Sequence, residues 1–229
     1  MPPYSGKFRF TLELCCLRFG GKIVRETEMH KIRRLAMVSG FVLVFAVSTT
    51  WAKQIVRGTI ERVEGQTLVV KSRDGAELKV VLADNALIVG IVKASLTDIK
   101  PGSFVGVTGM PQADGSQKAI EVHIFPEAMR RTGEGHYPWD LRPQSTMTNA
   151  HVEQTIAGVD GQTLTVKYKG GEKKIIVPPD IPIVTYVQSD KSELKPGAKI
   201  FIAAAKKLPD GTLQAPRVNL GKDGLTPPM

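Results

Sequence analysis

The chain is predicted to be all-β, two copies of one small antiparallel unit following an N-terminal leader. Three observations predict it. The stretch Val63-Glu64-Gly65-Gln66-Thr67-Leu68-Val69-Val70-Lys71 returns 96 positions later as Val159-Asp160-Gly161-Gln162-Thr163-Leu164-Thr165-Val166-Lys167. Short runs rich in Val, Ile and Thr alternate apolar with polar residues, the period of a half-buried strand. Turn signals, Asp-Gly and Lys-Pro-Gly, recur in the same order in both copies.

The repeat extends well beyond the nonapeptide. Thr59-Ile60 returns as Thr155-Ile156, Val80-Val81 as Ile176-Val177, Asp114-Gly115 as Asp210-Gly211, and Ala119 and Val122 as Ala215 and Val218. Lys100-Pro101-Gly102 returns as Lys195-Pro196-Gly197, one residue out of step, which a single deletion in a loop explains. Solenoids stack three or more shorter repeats, so two long copies favour two similar domains or two halves of one sandwich. A unit of roughly 75 residues buries only a modest core, so each copy should close into a barrel or lean on its partner.

The formal charge of +9 suggests nucleic acid until it is located along the chain. Residues 1–52 hold 8 Lys/Arg against 3 Asp/Glu, leaving 23 against 19 in residues 53–229, a surplus of only 4. That remainder is ordinary solubility charge. Both cysteines, Cys15 and Cys16, also lie in the leader. Residues 53–229 therefore have no disulfide frame, thiolate nucleophile or cysteine zinc site.

Residues 1–28 show no sustained period and are expected to be an over-extended reading frame, with Met29 the start. Residues 29–52 have the form of a secretory signal: a basic flank (His30, Lys31, Arg33, Arg34), an apolar run from Leu35 to Val47, and the small-residue exit Thr50-Trp51-Ala52. The expected signal helix is cleaved after Ala52, and its apolar run falls short of the ~20 residues of a spanning helix. The mature chain is then periplasmic or secreted, without a membrane span.

Residues 53–125 form the first expected barrel. Ile55–Val63, Thr67–Lys71 and Glu77–Leu82 make a three-strand meander through the turns Glu64-Gly65-Gln66 and Arg73-Asp74-Gly75. Ala86–Val92 is expected as a separate fourth strand covered on both faces. Ser95-Leu96-Thr97-Asp98 suggests one helical turn with a weak capping box, stopped by Lys100-Pro101-Gly102. Ser103–Thr108 and Lys118–Phe125 complete the unit around Asp114-Gly115. Residues 151–220 repeat the order with strands at 154–159, 163–168, 172–177, 183–187, 199–205 and 213–218. Pro178, Pro179 and Pro182 fall between strands or at a strand's start. Residues 221–229 carry Gly and Pro without an apolar period and are expected to fray.

Short antiparallel strands in this number, with a helical turn before the last pair, suggest barrels of the OB type. The Gly-x-Ile-x-x-Val opening, Gly-Gln-Thr-Leu-x-Val-Lys, Leu-Lys-Pro-Gly and Asp-Gly together resemble an exported bacterial family of unknown function built from tandem OB-like barrels, over residues 55–220. The resemblance implies a fold and a compartment and no catalytic residues. Relatives in that family sometimes carry the label metal transporter permease. Several apolar spans of ~20 residues, which a permease needs, are not in this sequence.

Residues 126–150 link the copies. Phe125–Arg131 suggests a helical turn, and Gly133–Asp140 an irregular loop holding Tyr137 and Trp139. Long loops in compact proteins are functional or disordered, and large rings argue against disorder. Tyr137, Trp139 and Asp140 are thus expected either to pack the linker over the seam between barrels or to contact a ligand. His123, His136 and His151, with Glu127, Glu134 and Asp140 nearby in sequence, form a chemically sensible zinc or copper set, although their spacing matches no local motif.

Ser145, Thr146, Thr148 and Asn149 follow without a nucleophile elbow or oxyanion hole, and Gly133-x-Gly135 lacks the strand and helix of a dinucleotide site. No enzyme is expected. Nucleic acid is not expected either: Phe104, Tyr168, Tyr186 and Phe201 are thinly spread, and Lys167, Lys169, Lys173 and Lys174 suit a solvated hairpin face. The function expected is a non-enzymatic periplasmic binding or envelope-interaction module whose partner is an unknown protein or envelope component. The alternative is a periplasmic metal-handling protein, with single-stranded nucleic-acid or oligosaccharide binding by the barrels as a residual reading.

Overall fold

Strands form where Val, Ile and Thr alternate with polar residues, and the turns fall at the glycines. The computed structural model describes residues 53–159 and 161–229. The expected extension (1–28) and signal helix (29–52) lie outside the described residues. The strands are β1 (Lys53–Glu64), β2 (Thr67–Ser72), β3 (Glu77–Lys93), β4 (Phe104–Pro111), β5 (Gln117–Phe125), β6 (Gly135–Pro138), β7 (Thr146–Gly158), β8 (Gly161–Tyr168), β9 (Gly171–Val177), β10 (Ile183–Gln188), β11 (Lys199–Lys207) and β12 (Leu213–Gly221). The chain is all-β and its strands close into barrels. Among the described residues no helix is long and apolar enough to cross a membrane.

The sequence copies and the barrels are different units. One barrel runs β1, β2, β3, β12, β11 and back to β1, the β3–β12 pair being parallel and the others antiparallel. The other runs β7, β8, β9, β5, β4 and back to β7, again with one parallel pair, β5–β9. Each copy supplies its own three-strand meander to one barrel and its last hairpin to the other. The expected contiguous barrels, 53–125 and 151–220, are therefore corrected: they mark the repeats, while the closed barrels interleave them.

The cores are mixed in the same way, each drawing on both copies. One gathers Val56, Ile60, Leu68 and Val80 from the first copy with Leu194, Ile202, Leu213 and Val218 from the second. The other gathers Ile99, Val107 and Val122 with Val152, Leu164 and Ile175. Both Lys-Pro-Gly turns reach across. Gly102 N–H donates to Val152 O at 2.7 Å, and Gly197 N–H donates to Ile60 O at 2.8 Å. Their glycines sit at φ +86° in both copies, where a Cβ would be strained.

Several expectations shift in detail. The two strands expected at 77–82 and 86–92 are one 17-residue strand, β3. In the second copy the same stretch is cut into β9 and β10, because Pro178, Pro179 and Pro182 cannot donate to a ladder. The missing residue lies earlier than Lys100. Thr67 pairs with Val81 and Thr163 with Ile176, so Val80 corresponds to Ile175 and the deletion falls in the β8–β9 turn. Residues 146–150, expected as linker, open β7, and Gly135–Pro138, expected as irregular loop, pair with it as β6.

β10 joins the barrels into one sheet, lying antiparallel to the far half of β3 and parallel to β5. A third small core fills this seam: Ile91, Val184, Phe201 and Met229, with Trp139 and Tyr186 packed against them. The tail is accordingly not frayed. Met229 is 1% exposed, its main-chain oxygen accepts from Arg57 Nε at 2.8 Å, and Pro227 O accepts from Arg73 at 3.0 Å. An apolar side chain at the end of a Gly/Pro segment suffices to order it when a seam is there to receive it.

Candidate functional site

The seam core leaves room beside it. A cavity of about 560 Å³ opens between the barrels, within the size range of small-molecule sites. Phe125, Tyr137, Trp139, Tyr186 and Phe201 line it, and the rings touch in two groups. Phe125 stacks on Tyr186 with centroids 5.3 Å apart, while Tyr137 meets Trp139 at 6.2 Å and Trp139 meets Phe201 at 6.4 Å, both edge-on. The five rings arrive from four elements: Phe125 ends β5, Tyr186 lies in β10, Phe201 in β11, and Tyr137 and Trp139 belong to the linker. The strand exchange is what brings β5 and β11 to the same face.

The linker is strapped down at both ends. Asn149 Nδ2 donates to Thr132 O, Gly133 O and Tyr137 Oη at 3.1–3.2 Å. Ser145 Oγ donates to Trp139 O at 2.9 Å, and Arg130, ion-paired with Glu127 at 2.6 Å, donates to Gly102 O. Towards the other barrel, Asp140 accepts two bonds from Arg57, 2.7 and 2.9 Å. This guanidinium also lies over the rings of Trp139 (5.8 Å) and Phe201 (5.4 Å). Arg57 holds the Asp140 carboxyl below the usual carboxylate range, and burial raises the Tyr137 hydroxyl. Tyr137, Trp139 and Asp140 are thus brought together as a strap that touches both barrels; Tyr137 and Trp139 wall the cavity, and Asp140 lies outside its lining.

The histidines are not brought together. His123, 3% exposed, lies in β5 against Phe125 with its Nδ1 3.4 Å from Glu121 Oε2. His136 shares a 2.8 Å hydrogen bond with Thr148 Oγ1 and stacks on Tyr168; burial and then Lys173 depress its pKa. His151 accepts from Arg130 at 3.1 Å and packs on Phe104. Among the described residues no group of three His, Cys, Asp or Glu side chains could hold a metal ion. The expected zinc or copper set is corrected: neighbours in sequence, these residues lie on separate strands and each is occupied by a different partner.

Comparison with protein families, curated proteins and solved structures gives no match.

Two wall residues have buried polar atoms without a hydrogen-bond partner, Trp139 Nε1 and Asn149 Oδ1. Glu121 lies beneath the wall, fully buried, accepting from Thr108 Oγ1 and facing His123. Burial, then the nearby Glu121 charge, pushes the Tyr186 hydroxyl far above its ordinary value, so it stays protonated. Gly106 makes the packing possible: a Cβ there would stand 1.8 Å from His123 Nε2 and 2.5 Å from Asn149 Oδ1.

Sequence reasoning missed Asn149, Arg57, Arg217, Tyr186, Phe201 and Met229 as parts of one site. Their distances in sequence gave no signal, because only the exchanged hairpins place them on one cavity. Of the thinly spread strand aromatics, Phe104 and Phe201 are 2% and 4% exposed, and Tyr168 stacks on His136.

Proposed function

We propose that the protein is a non-enzymatic binding module of the bacterial envelope that holds a small ligand between its two barrels, under the linker. The supporting observation is the cavity itself: five aromatic side chains from four elements converge on it, and two buried polar atoms in its walls lack partners. Natural interiors leave few such groups unpaired, and an empty polar valence beside an apolar cavity is what a ligand completes. Export is carried by the leader pattern at 29–52. A nucleophile with an adjacent base and an oxyanion site does not occur among the cavity residues, which is why binding is preferred to catalysis.

The test is native mass spectrometry of the protein isolated gently from its own envelope fraction. Wild type should carry a small-molecule adduct that is lost in the Tyr137→Ala/Trp139→Ala double variant. A bare chain in both samples, or an adduct unaffected by the double substitution, would contradict the proposal.

A further inference from the structure

The ionic side chains of the cavity walls are cationic. Arg217 in β12 and Lys53 at the start of β1 line it, and no Asp or Glu does. Arg217 is the more informative of the two because it is partly buried. Its Nε donates to Asn219 Oδ1 at 3.1 Å, and Nη2 lies 3.4 Å from Met129 Sδ, a weak acceptor. Its guanidinium also sits 5.4 Å over the Tyr186 ring. It makes no ion pair among the described residues. Arg57, across the seam, shows the contrast: it has Asp140 as a bidentate partner.

A guanidinium has five donors in a fixed fork, so most of those of Arg217 are unmatched. Partial burial of a cation without a counter-charge is unfavourable, and burial lowers the Arg217 pKa. The fully buried Glu121 makes its contacts to Thr108 and His123 and none to Arg217. The unpartnered Trp139 Nε1–H is a second donor in the same wall. An unpartnered indole N–H and a guanidinium without an ion pair, set among Phe125, Tyr186 and Phe201, call for an acceptor that is negatively charged and carries flat apolar bulk.

We propose that the cavity selects a small organic anion with an aromatic or similarly flat apolar body, its anionic group placed against Arg217. This rests on the binding-module reading and adds the chemical class to it. A carboxylate would take two parallel bonds from the guanidinium, the geometry that makes such pairs specific. The body would stack on the rings that already meet edge-on and face-on around the cavity.

Isothermal titration of the full chain with 2-naphthoate and with 2-naphthylmethanol, which shares its rings and lacks its charge, tests the proposal. Wild type should bind the naphthoate about tenfold more tightly, the scale of one charge-assisted hydrogen-bonding group. Arg217→Gln should abolish that preference, the naphthoate losing about tenfold relative to the alcohol in the same titration. Equal affinity of the wild type for both compounds would overturn the anion selectivity and leave the cavity reading standing. Binding of neither would overturn both. The wild-type comparison decides even where the variant does not fold.

Discussion

Arg57 serves four partners at once: the Asp140 carboxylate, the faces of Trp139 and Phe201, and the main-chain oxygen of Met229. Asp140 is 55% exposed, so solvent screens the pair, and Asp140→Asn should cost only about 0.5–1 kcal/mol at neutral pH. The sign with pH follows from the depressed Asp140 pKa. The contribution is complete above the ordinary Asp value of about 3.9 and is lost as pH falls through the lower folded value. Urea unfolding of wild type and variant from pH 7 down to 3 should show the gap closing at the acid end. At Gly106 the effect should be larger. A Cβ 1.8 Å from His123 Nε2 requires the buried ring to move, so Gly106→Ala should cost about 1–3 kcal/mol by the same measurement. Neither effect was legible in the sequence. Arg57 there is one polar position of an alternating strand, and Gly106 one glycine among 22.

At the scale of elements, the hairpins repeat in sequence but not in register. The bulge in β1 falls between Ile60 and Arg62, whereas in β7 it falls between Val152 and Gln154. Ile60 therefore pairs with Val70 and is fully buried, while its counterpart Ile156 pairs with Thr163 and is 51% exposed. Val152 occupies the core position instead, receiving the Lys-Pro-Gly turn as Ile60 does. A slip by an even number of residues keeps each side chain on its face, which is why the alternating pattern tolerates both registers. Ile60→Ala should thus cost about 2–5 kcal/mol, and Ile156→Ala should fall within about 0.5 kcal/mol of wild type, read as chemical denaturation midpoints. The Asp-Gly turns were fully legible. Asp114 and Asp210 each accept from the N–H two residues on at 3.0 Å, and Gly115 and Gly211 take φ of +81° and +88°. Local turn chemistry is written in adjacent residues; register depends on where a bulge relaxes the strand, and alternation does not mark that.

For the whole molecule, the exchange of hairpins explains both the strength and the limit of the repeat as a guide. Each copy contains every strand of a five-stranded barrel in the right order, so the all-β class and the barrel architecture follow from its alternation and turns. Which copy's hairpin closes which barrel is a question of partner, and equivalent hairpins carry equivalent patterns. Sequence similarity between the copies is what hides the exchange. The consequence for function is direct: β5 and β11, one from each copy, come to face a common cavity that two contiguous barrels in tandem would not build. The most direct test is a disulfide across the exchanged edge. Thr59 and Lys199 are paired between β1 and β11, and a chain with Thr59→Cys and Lys199→Cys, with Cys15 and Cys16 replaced by Ser, has no other thiol. Mild oxidation should give a monomer with one internal 59–199 bond, identified by peptide mapping, because paired strand positions lie within disulfide reach. Two free thiols in a folded chain, or bonds formed only between molecules, would show that each copy closes its own barrel and would contradict the account.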